Sequence, residues 1–116
     1  MAKILILGAG SMGTAFSFPC SDKNHSVSMI GTHLEDDFID IINSKNIHPV
    51  LNCEVPKNVK FFKFEKLGQE INKKIDLIVV AVIAKGIEWA SIELSKVLKT
   101  NIPILILTKG LAINNN

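Results

Sequence analysis

The chain has 116 residues, 47% of them hydrophobic, and a formal net charge of +2. This length suits one domain or part of one, and the apolar content is high enough to build a core, which excludes an intrinsically disordered chain. Acidic and basic residues are interspersed, without the basic cluster that follows a nucleic-acid backbone. We therefore expect a globular protein with no nucleic-acid partner.

The two cysteines and the lengths of the apolar runs bear on compartment and metal binding. Cys20 and Cys53 are far apart and lack CxxC spacing, which argues against a zinc site or a disulfide framework. We predict two reduced, buried thiols and no metal site. The first apolar run is too short for a signal peptide, and no later run approaches a bilayer's thickness. The expectation is a cytoplasmic protein without membrane insertion.

Short apolar runs alternate with segments of helical spacing along the chain. Nearly continuous apolar runs are typical of parallel strands covered on both faces. They predict strands over residues 4–7, 27–30, 77–82 and 104–107, with a weaker candidate at 59–64. Helices are predicted over residues 11–22, 35–44 and 87–98, with a short one near 67–72, and one long loop over 46–58. The residues at helical spacing that could face the sheet are Phe38, Ile41, Ile42, Trp89, Ile92 and Leu94.

Strict alternation of strand and helix predicts an α/β fold with a doubly wound parallel sheet. Each right-handed crossover returns the chain beside its last strand in the same direction. The sequence ends soon after the strand predicted at 104–107, where such a sheet would normally continue. We expect residues 1–116 to form one partial, truncated domain without a second domain.

The opening segment KILILGAGSMGTAF contains three glycines between a predicted strand and a predicted helix. Gly8, Gly10 and Gly13 match G-x-G-x-x-G between an apolar strand and a helix, as a dinucleotide-binding turn requires. The first glycine would permit the tight turn, the second the approach of a pyrophosphate, and the third the packing of helix on strand. Free N–H groups near Ser11 would face the anion. The alternative is a glycine-rich turn in a fold that binds another ligand.

The end of the second predicted strand bears on the choice of cofactor. NAD-selective sites place an acid there, roughly 20 residues past the glycines, to bind the ribose 2′-hydroxyl. Directly after Ile30 this chain has Gly31, Thr32 and His33 instead. We therefore expect NADPH to bind at least as well as NADH, with Thr32 or His33 donating to the 2′-phosphate. Both residues also fit a polar loop before the next helix, which Thr32 could cap.

Several segments in this order resemble the amino-terminal part of bacterial-type NAD(P)-dependent glycerol-3-phosphate dehydrogenases. They are ILGAGSMGTAF, HSVSMIGTH, NIHPVLNCEVPKNV, DLIVVAV and ILTKGL. The resemblance implies a Rossmann-type domain that binds NADP or NAD, with Ser11 and Met12 in the cofactor turn and Thr32 and His33 near the adenosine ribose. It also implies that Lys109 touches both cofactor and substrate.

The same resemblance implies an activity and a part that this sequence lacks. The family interconverts dihydroxyacetone phosphate and sn-glycerol 3-phosphate by hydride transfer, in support of phospholipid synthesis. Its general acid/base, a second Lys, belongs to an all-helical carboxy-terminal substrate domain, so we expect no turnover by this chain alone. The implied partner is a small phosphorylated substrate, with a homodimer as one option for a full-length protein.

The sequence departs from the family pattern in one segment, and two other functions also fit its glycine turn. The segment Val82-Ile83-Ala84-Lys85 replaces the Val-Pro and small polar residue that usually follow the fourth strand. Another Rossmann reductase, such as a ketopantoate or hydroxyacid reductase, would use the same glycine turn. A non-catalytic NAD(H)-sensing module would also use it, without needing Lys109.

Overall fold

The computed structural model describes residues 1–107, so the predicted contact residue Lys109 lies outside the described residues. The strands are β1 (Lys3–Leu7), β2 (Ser26–Ile30), β3 (Ile47–His48), β4 (Cys53–Glu54), β5 (Val59–Phe62), β6 (Leu77–Ala81) and β7 (Ile104–Leu107). The helices are α1 (Ser11–Asp22), α2 (Asp36–Lys45), α3 (Leu67–Ile71) and α4 (Ile87–Val97), with single 3-10 turns at Phe64–Lys66 and Ala84–Gly86.

Five strands form one parallel sheet in the order β5-β2-β1-β6-β7. The chain moves outward from β1 through β2 to β5 and then crosses back to β6, so the direction of winding reverses between β1 and β6. Open α/β sheets bind ligands at this reversal, outside the carboxyl ends of the strands. The predicted doubly wound Rossmann-type sheet is confirmed.

The core lies on both faces of the sheet because successive residues of a strand point to opposite sides. On β1, Ile4 and Ile6 pack into one apolar cluster with residues of α1 and α2. Leu5 and Leu7 pack into a second cluster with residues of α3 and α4. This double burial is why β1 reads as an unbroken apolar run in the sequence.

The helix boundaries agree with the predicted ones to within a residue or two, but the predicted buried faces are partly wrong. On α2 the buried residues are Ile39 and Ile42, whereas Ile41 is 42% exposed. On α4, Ala90 and Leu94 are buried and Ile92 is 49% exposed. On both helices, fewer of the apolar residues than expected are buried against the sheet.

Within residues 1–107, every helix is too short or too polar to cross a bilayer.

Residues 46–58 are more ordered than the single long loop predicted from sequence. The short strands β3 and β4 pair antiparallel, with Ile47 opposite Glu54 and His48 opposite Cys53. Asn46 and Asn52 adopt positive φ angles of 57° and 54°, which Asn tolerates better than most residues. We refer to this segment as the β3–β4 ribbon.

Both cysteines are free, as predicted, but only one is buried. Cys20, near the end of α1, lies in the core between this helix and the sheet, and this burial raises the pKa of its thiol. Cys53 is half-buried, because it belongs to the thin β3–β4 ribbon rather than to a layer packed on the sheet. The prediction of a buried thiol is therefore wrong for Cys53.

Strand β7 forms one edge of the sheet within the described residues. Its side chains Ile104, Leu105 and Ile106 are 46%, 40% and 50% exposed. The fully covered strand predicted for residues 104–107 is therefore only half covered among residues 1–107.

Candidate cofactor-binding site

A cleft of about 580 Å³ opens at the carboxyl ends of β1, β2 and β6. Because all five strands are parallel, the segments that follow them meet at one edge of the sheet. Five of the residues predicted from sequence to bind a cofactor or line its turn share this cleft: Gly10, Ser11, Met12, Thr32 and His33. The volume lies within the range of small-molecule and cofactor sites.

Two of the three glycines are required by the fold itself. Gly8 has a φ of +115°, and a Cβ there would lie 2.1 Å from the carbonyl oxygen of Ala81. At Gly13 a Cβ would lie 2.4 Å from the carbonyl oxygen of Gly8. These approaches seat the glycine turn against β6 and let α1 start directly beneath it. Gly8 and Gly13 have the geometric roles predicted for the first and third glycines.

Gly10 differs, because packing within the protein does not demand a glycine there. Its φ of −69° is open to any residue, and the nearest atom to a Cβ would be a carboxylate oxygen of Glu35 at 3.9 Å. A side chain at this position would project into the cleft. The absence of one leaves backbone exposed where a ligand could approach closely.

The start of α1 offers unpaired N–H groups to the same cleft. Gly10 is the N-cap residue, and no side chain among residues 1–107 caps the helix. The first turn also carries no acidic residue. An uncapped helix N-terminus with free N–H groups and a positive dipole end favours an anion. The residues present therefore fit the pyrophosphate of a dinucleotide.

Sequence reasoning missed Glu35, which lines the cleft. Its Oε1 accepts hydrogen bonds from the N–H of Ala9 at 3.0 Å and the N–H of Thr32 at 2.8 Å. One carboxylate oxygen thus links the glycine turn to the end of β2. Glu35 lies roughly 20 residues past the glycines, so its spacing was the signal. The acid is expected directly after Ile30, whereas Glu35 follows four residues later.

Thr32 and His33 lie beside the cleft but face different surroundings. The hydroxyl of half-buried Thr32 accepts a hydrogen bond from the N–H of Leu34 at 3.3 Å, and its own proton can still be donated. The His33 ring lies over Trp89, with ring centroids 4.6 Å apart. Phe64 and Trp89 are themselves 5.1 Å apart. These three rings form an aromatic wall at one side of the cleft.

The β3–β4 ribbon reaches the glycine turn through His48. The fully buried His48 ring bonds through Nε2 to the carbonyl oxygen of Ala9 at 3.0 Å. Sequence reasoning assigned no catalytic role to His48 and expected a surface or packing role. The structure places it in a packing role, with its ring 4.9 Å from that of Phe38.

The segment after β6 also lines the cleft. Val82, Ile83 and Lys85 contribute to it, and Ile83 and Lys85 belong to the part of this segment that departs from the family pattern. Lys85 is exposed and brings a cation to the β6 side of the cleft.

Parallel sheet, crossover helices and glycine turn together define a Rossmann-type domain. The chain belongs to the glycerol-3-phosphate dehydrogenase family, since the model described as NAD-dependent glycerol-3-phosphate dehydrogenase N-terminus matches residues 3–116. The resemblance inferred from the sequence is confirmed.

Known proteins similar to this chain agree with the family match. The glycerol-3-phosphate dehydrogenase [NAD(P)+] of Bacillus pumilus is 34% identical over 113 residues, which span 96% of this chain and 31% of the relative. A glycerol-3-phosphate dehydrogenase structure from Coxiella burnetii has a TM-score of 0.82 at 23% identity, covering 95% of this chain and 33% of that one. The chain therefore spans about a third of the length of these relatives.

A solved reductase structure, of the kind considered above as an alternative function, shares the fold. The 2-dehydropantoate 2-reductase of Methylococcus capsulatus has a TM-score of 0.62 at 18% identity, covering 97% of this chain and 35% of that one. At this identity the likeness reflects the shared Rossmann-type fold alone.

Proposed function

We propose that this chain is the coenzyme-binding part of a glycerol-3-phosphate dehydrogenase and binds NADH or NADPH in the cleft. The observation that carries the proposal is the family match over residues 3–116. It coincides with a glycine turn whose middle glycine, Gly10, faces open cleft rather than protein. A turn shaped only by packing would have no reason to leave that position without a side chain.

The pyrophosphate would lie against the first turn of α1. The N–H groups of Ser11 and Met12 belong to this uncapped turn, and hydrogen bonds from such groups to a phosphate are reinforced by the helix dipole. Gly10 allows the phosphate to reach the backbone. In this proposal Ser11 and Met12 act through their backbone N–H groups.

The adenosine end would lie toward β2 and the nicotinamide end toward β6. Thr32 and His33 line the cleft on the β2 side, where a ribose hydroxyl could accept from or donate to Thr32. Lys109, which follows β7 in the sequence, is proposed to touch both cofactor and substrate. A Lys ammonium can neutralise a phosphate or polarise a ketone oxygen.

The reaction of the whole enzyme extends beyond this chain. Bound nicotinamide supplies or accepts the hydride, and the substrate would be dihydroxyacetone phosphate or sn-glycerol 3-phosphate, for phospholipid synthesis in the cytoplasm. The general acid/base Lys is proposed to belong to an all-helical domain of a longer protein, which could form a homodimer. Residues 1–116 alone are proposed to bind cofactor without turnover.

Cofactor binding can be tested through Trp89, the chain's single tryptophan, which lines the cleft. Its emission overlaps the absorption of reduced nicotinamide, so bound NADH or NADPH should quench its fluorescence. Gly10→Ala should weaken binding at least about tenfold, because the methyl group obstructs the pyrophosphate. Its thermal unfolding should stay unchanged.

The matched control is Gly68→Ala in α3, where a Cβ would lie 3.7 Å from Val97 and far from the cleft. This variant should bind as the unsubstituted chain does. Absence of quenching by both NADH and NADPH in the unsubstituted chain would contradict the proposed function.

A second titration separates the dehydrogenase from an NAD(H)-sensing module. The dissociation constant of NADH, measured with and without dihydroxyacetone phosphate, should fall in the presence of this substrate if Lys109 contacts both molecules. Lys109→Ala should remove this response, while Lys99→Ala, an exposed lysine after α4, should keep it. A sensor would show no response to the substrate in any of these chains.

A further inference from the structure

The carboxylate of Glu35 is held rigidly between two loops of the cleft. Its Oε1 accepts from the N–H groups of Ala9 and Thr32 at 3.0 and 2.8 Å. These donors belong to the segments after β1 and β2, which the sheet already fixes. Two backbone donors on one oxygen leave the carboxylate little freedom to turn away.

The second oxygen of the same carboxylate remains available. Among residues 1–107, no group donates a hydrogen bond to Oε2 of Glu35. This oxygen is the nearest atom to the position of a Cβ on Gly10, at 3.9 Å, and Glu35 lines the cleft. An acceptor thus points into the space beside the glycine turn.

Several acidic residues lie near the end of β2, and the lysine that follows the neighbouring strand β5, Lys63, is paired with Asp40 at 3.2 Å. Asp36 and Asp37 follow Glu35 in the first turn of α2 and are exposed. The cleft's lysine, Lys85, follows β6, which is separated from β2 by β1. His33 is the basic side chain nearest in sequence, and its ring lies against Trp89. A phosphate at the end of β2 would therefore meet a fixed carboxylate before any lysine of the described cleft.

We propose that Glu35 selects NAD(H) against NADP(H), an inference that rests on the proposed function. Its Oε2 accepts a hydrogen bond from the 2′-hydroxyl of the adenosine ribose and repels a 2′-phosphate at the same place. The acid comes from the start of α2 instead of the last residue of β2. This reverses the expectation, drawn from Thr32 and His33, that NADPH binds at least as well as NADH.

The test compares the dissociation constants of NADH and NADPH by Trp89 quenching. The unsubstituted chain should bind NADH at least about tenfold more tightly than NADPH. With NADPH, a hydrogen bond to a charged group is replaced by like-charge repulsion. In Glu35→Gln, the amide oxygen can still accept both N–H bonds. The dissociation constant of NADPH divided by that of NADH should fall about tenfold in this variant. Asp37→Asn, which removes a neighbouring exposed charge, should keep the ratio within about twofold.

A measurement on the unsubstituted chain covers the case in which Glu35→Gln does not fold. Reduced NAD lacking the adenosine 2′-hydroxyl should bind about five- to tenfold more weakly than NADH, because the hydrogen bond to Oε2 is lost. Equal binding of the two would overturn the inference.

The remaining outcomes separate this inference from the proposed function. Binding of both cofactors with an unchanged ratio in Glu35→Gln, or with both affinities lowered equally, overturns the selectivity role and leaves Glu35 as a link between two loops. A preference of the unsubstituted chain for NADPH also overturns it. Binding of neither cofactor overturns the proposed function, and this inference with it.

Discussion

The Nε2–H of His48 donates to the carbonyl oxygen of Ala9 at 3.0 Å and thereby ties the β3–β4 ribbon to the glycine turn. On the other side of the ring, Nδ1 accepts from the N–H groups of Val50 and Leu51 at 3.2 and 3.1 Å. Because Nδ1 accepts, these bonds assign the ring proton to Nε2. The ring satisfies three backbone groups, one of them in the predicted cofactor turn.

Replacing His48 by Ala should therefore destabilise the protein markedly. The change leaves the Ala9 carbonyl and two N–H groups without their partner and opens a cavity beside Phe38, which should lower the free energy of unfolding by about 2–4 kcal/mol. Urea unfolding followed by circular dichroism measures this. His48→Gln, whose amide can still donate to Ala9, should lose less.

The control for this prediction is His25→Ala. Within the part of the chain that the structure describes, the half-buried His25 ring makes a single hydrogen bond, accepting from the N–H of Ala2 at 2.8 Å, so its removal should cost about 1 kcal/mol. Equal effects of the His48 and His25 substitutions would show that the link to the glycine turn does not stabilise the fold.

Gly8→Ala should be the most damaging substitution within the glycine triplet. The residue has a φ of +115°, and its new methyl group would lie 2.1 Å from the backbone oxygen of Ala81. Strain and overpacking together should cost about 3 kcal/mol or more. A fall in the thermal unfolding midpoint measures it, and a midpoint matching that of Gly10→Ala would contradict the distinction between the two glycines.

The two thiols should differ in reactivity. Burial raises the pKa of the Cys20 thiol, so less thiolate is present there, and the core blocks access. Iodoacetamide should label half-buried Cys53 much faster than Cys20 in the folded chain, as read by mass spectrometry. In urea the two rates should converge, and similar rates in the folded chain would argue against the burial of Cys20.

The apolar edge at β7 should promote self-association of this chain. Among residues 1–107, Ile106 is 50% exposed on the strand at the edge of the sheet, and exposed apolar edges favour pairing between chains. Ile106→Lys should reduce light scattering on concentration. Ile92→Lys on α4, where the isoleucine is 49% exposed on a helix, should have a smaller effect. Equal scattering by both variants would exclude the edge as the cause.

The local elements could be predicted because their signals are local. Residues 4–7 are apolar without alternation, and the following glycines and helical spacing mark a strand, a turn and a helix in succession. The segment 46–58 was harder, because two-residue strands have no periodicity to detect. The exposure of Ile41 and Ile92 could not be predicted either. Helical spacing indicates an apolar stripe but not the orientation in which a helix packs on its sheet.

The fold class, the family and the location of the glycine turn follow from the sequence alone, because they depend on short-range patterns and their order. Which acid lines the cleft and which residues support the turn depend on tertiary contacts. Glu35 and His48 both bond to Ala9, from 26 and 39 positions away. No spacing rule encodes such contacts, since they arise when crossover connections bring separate loops to one edge of the sheet.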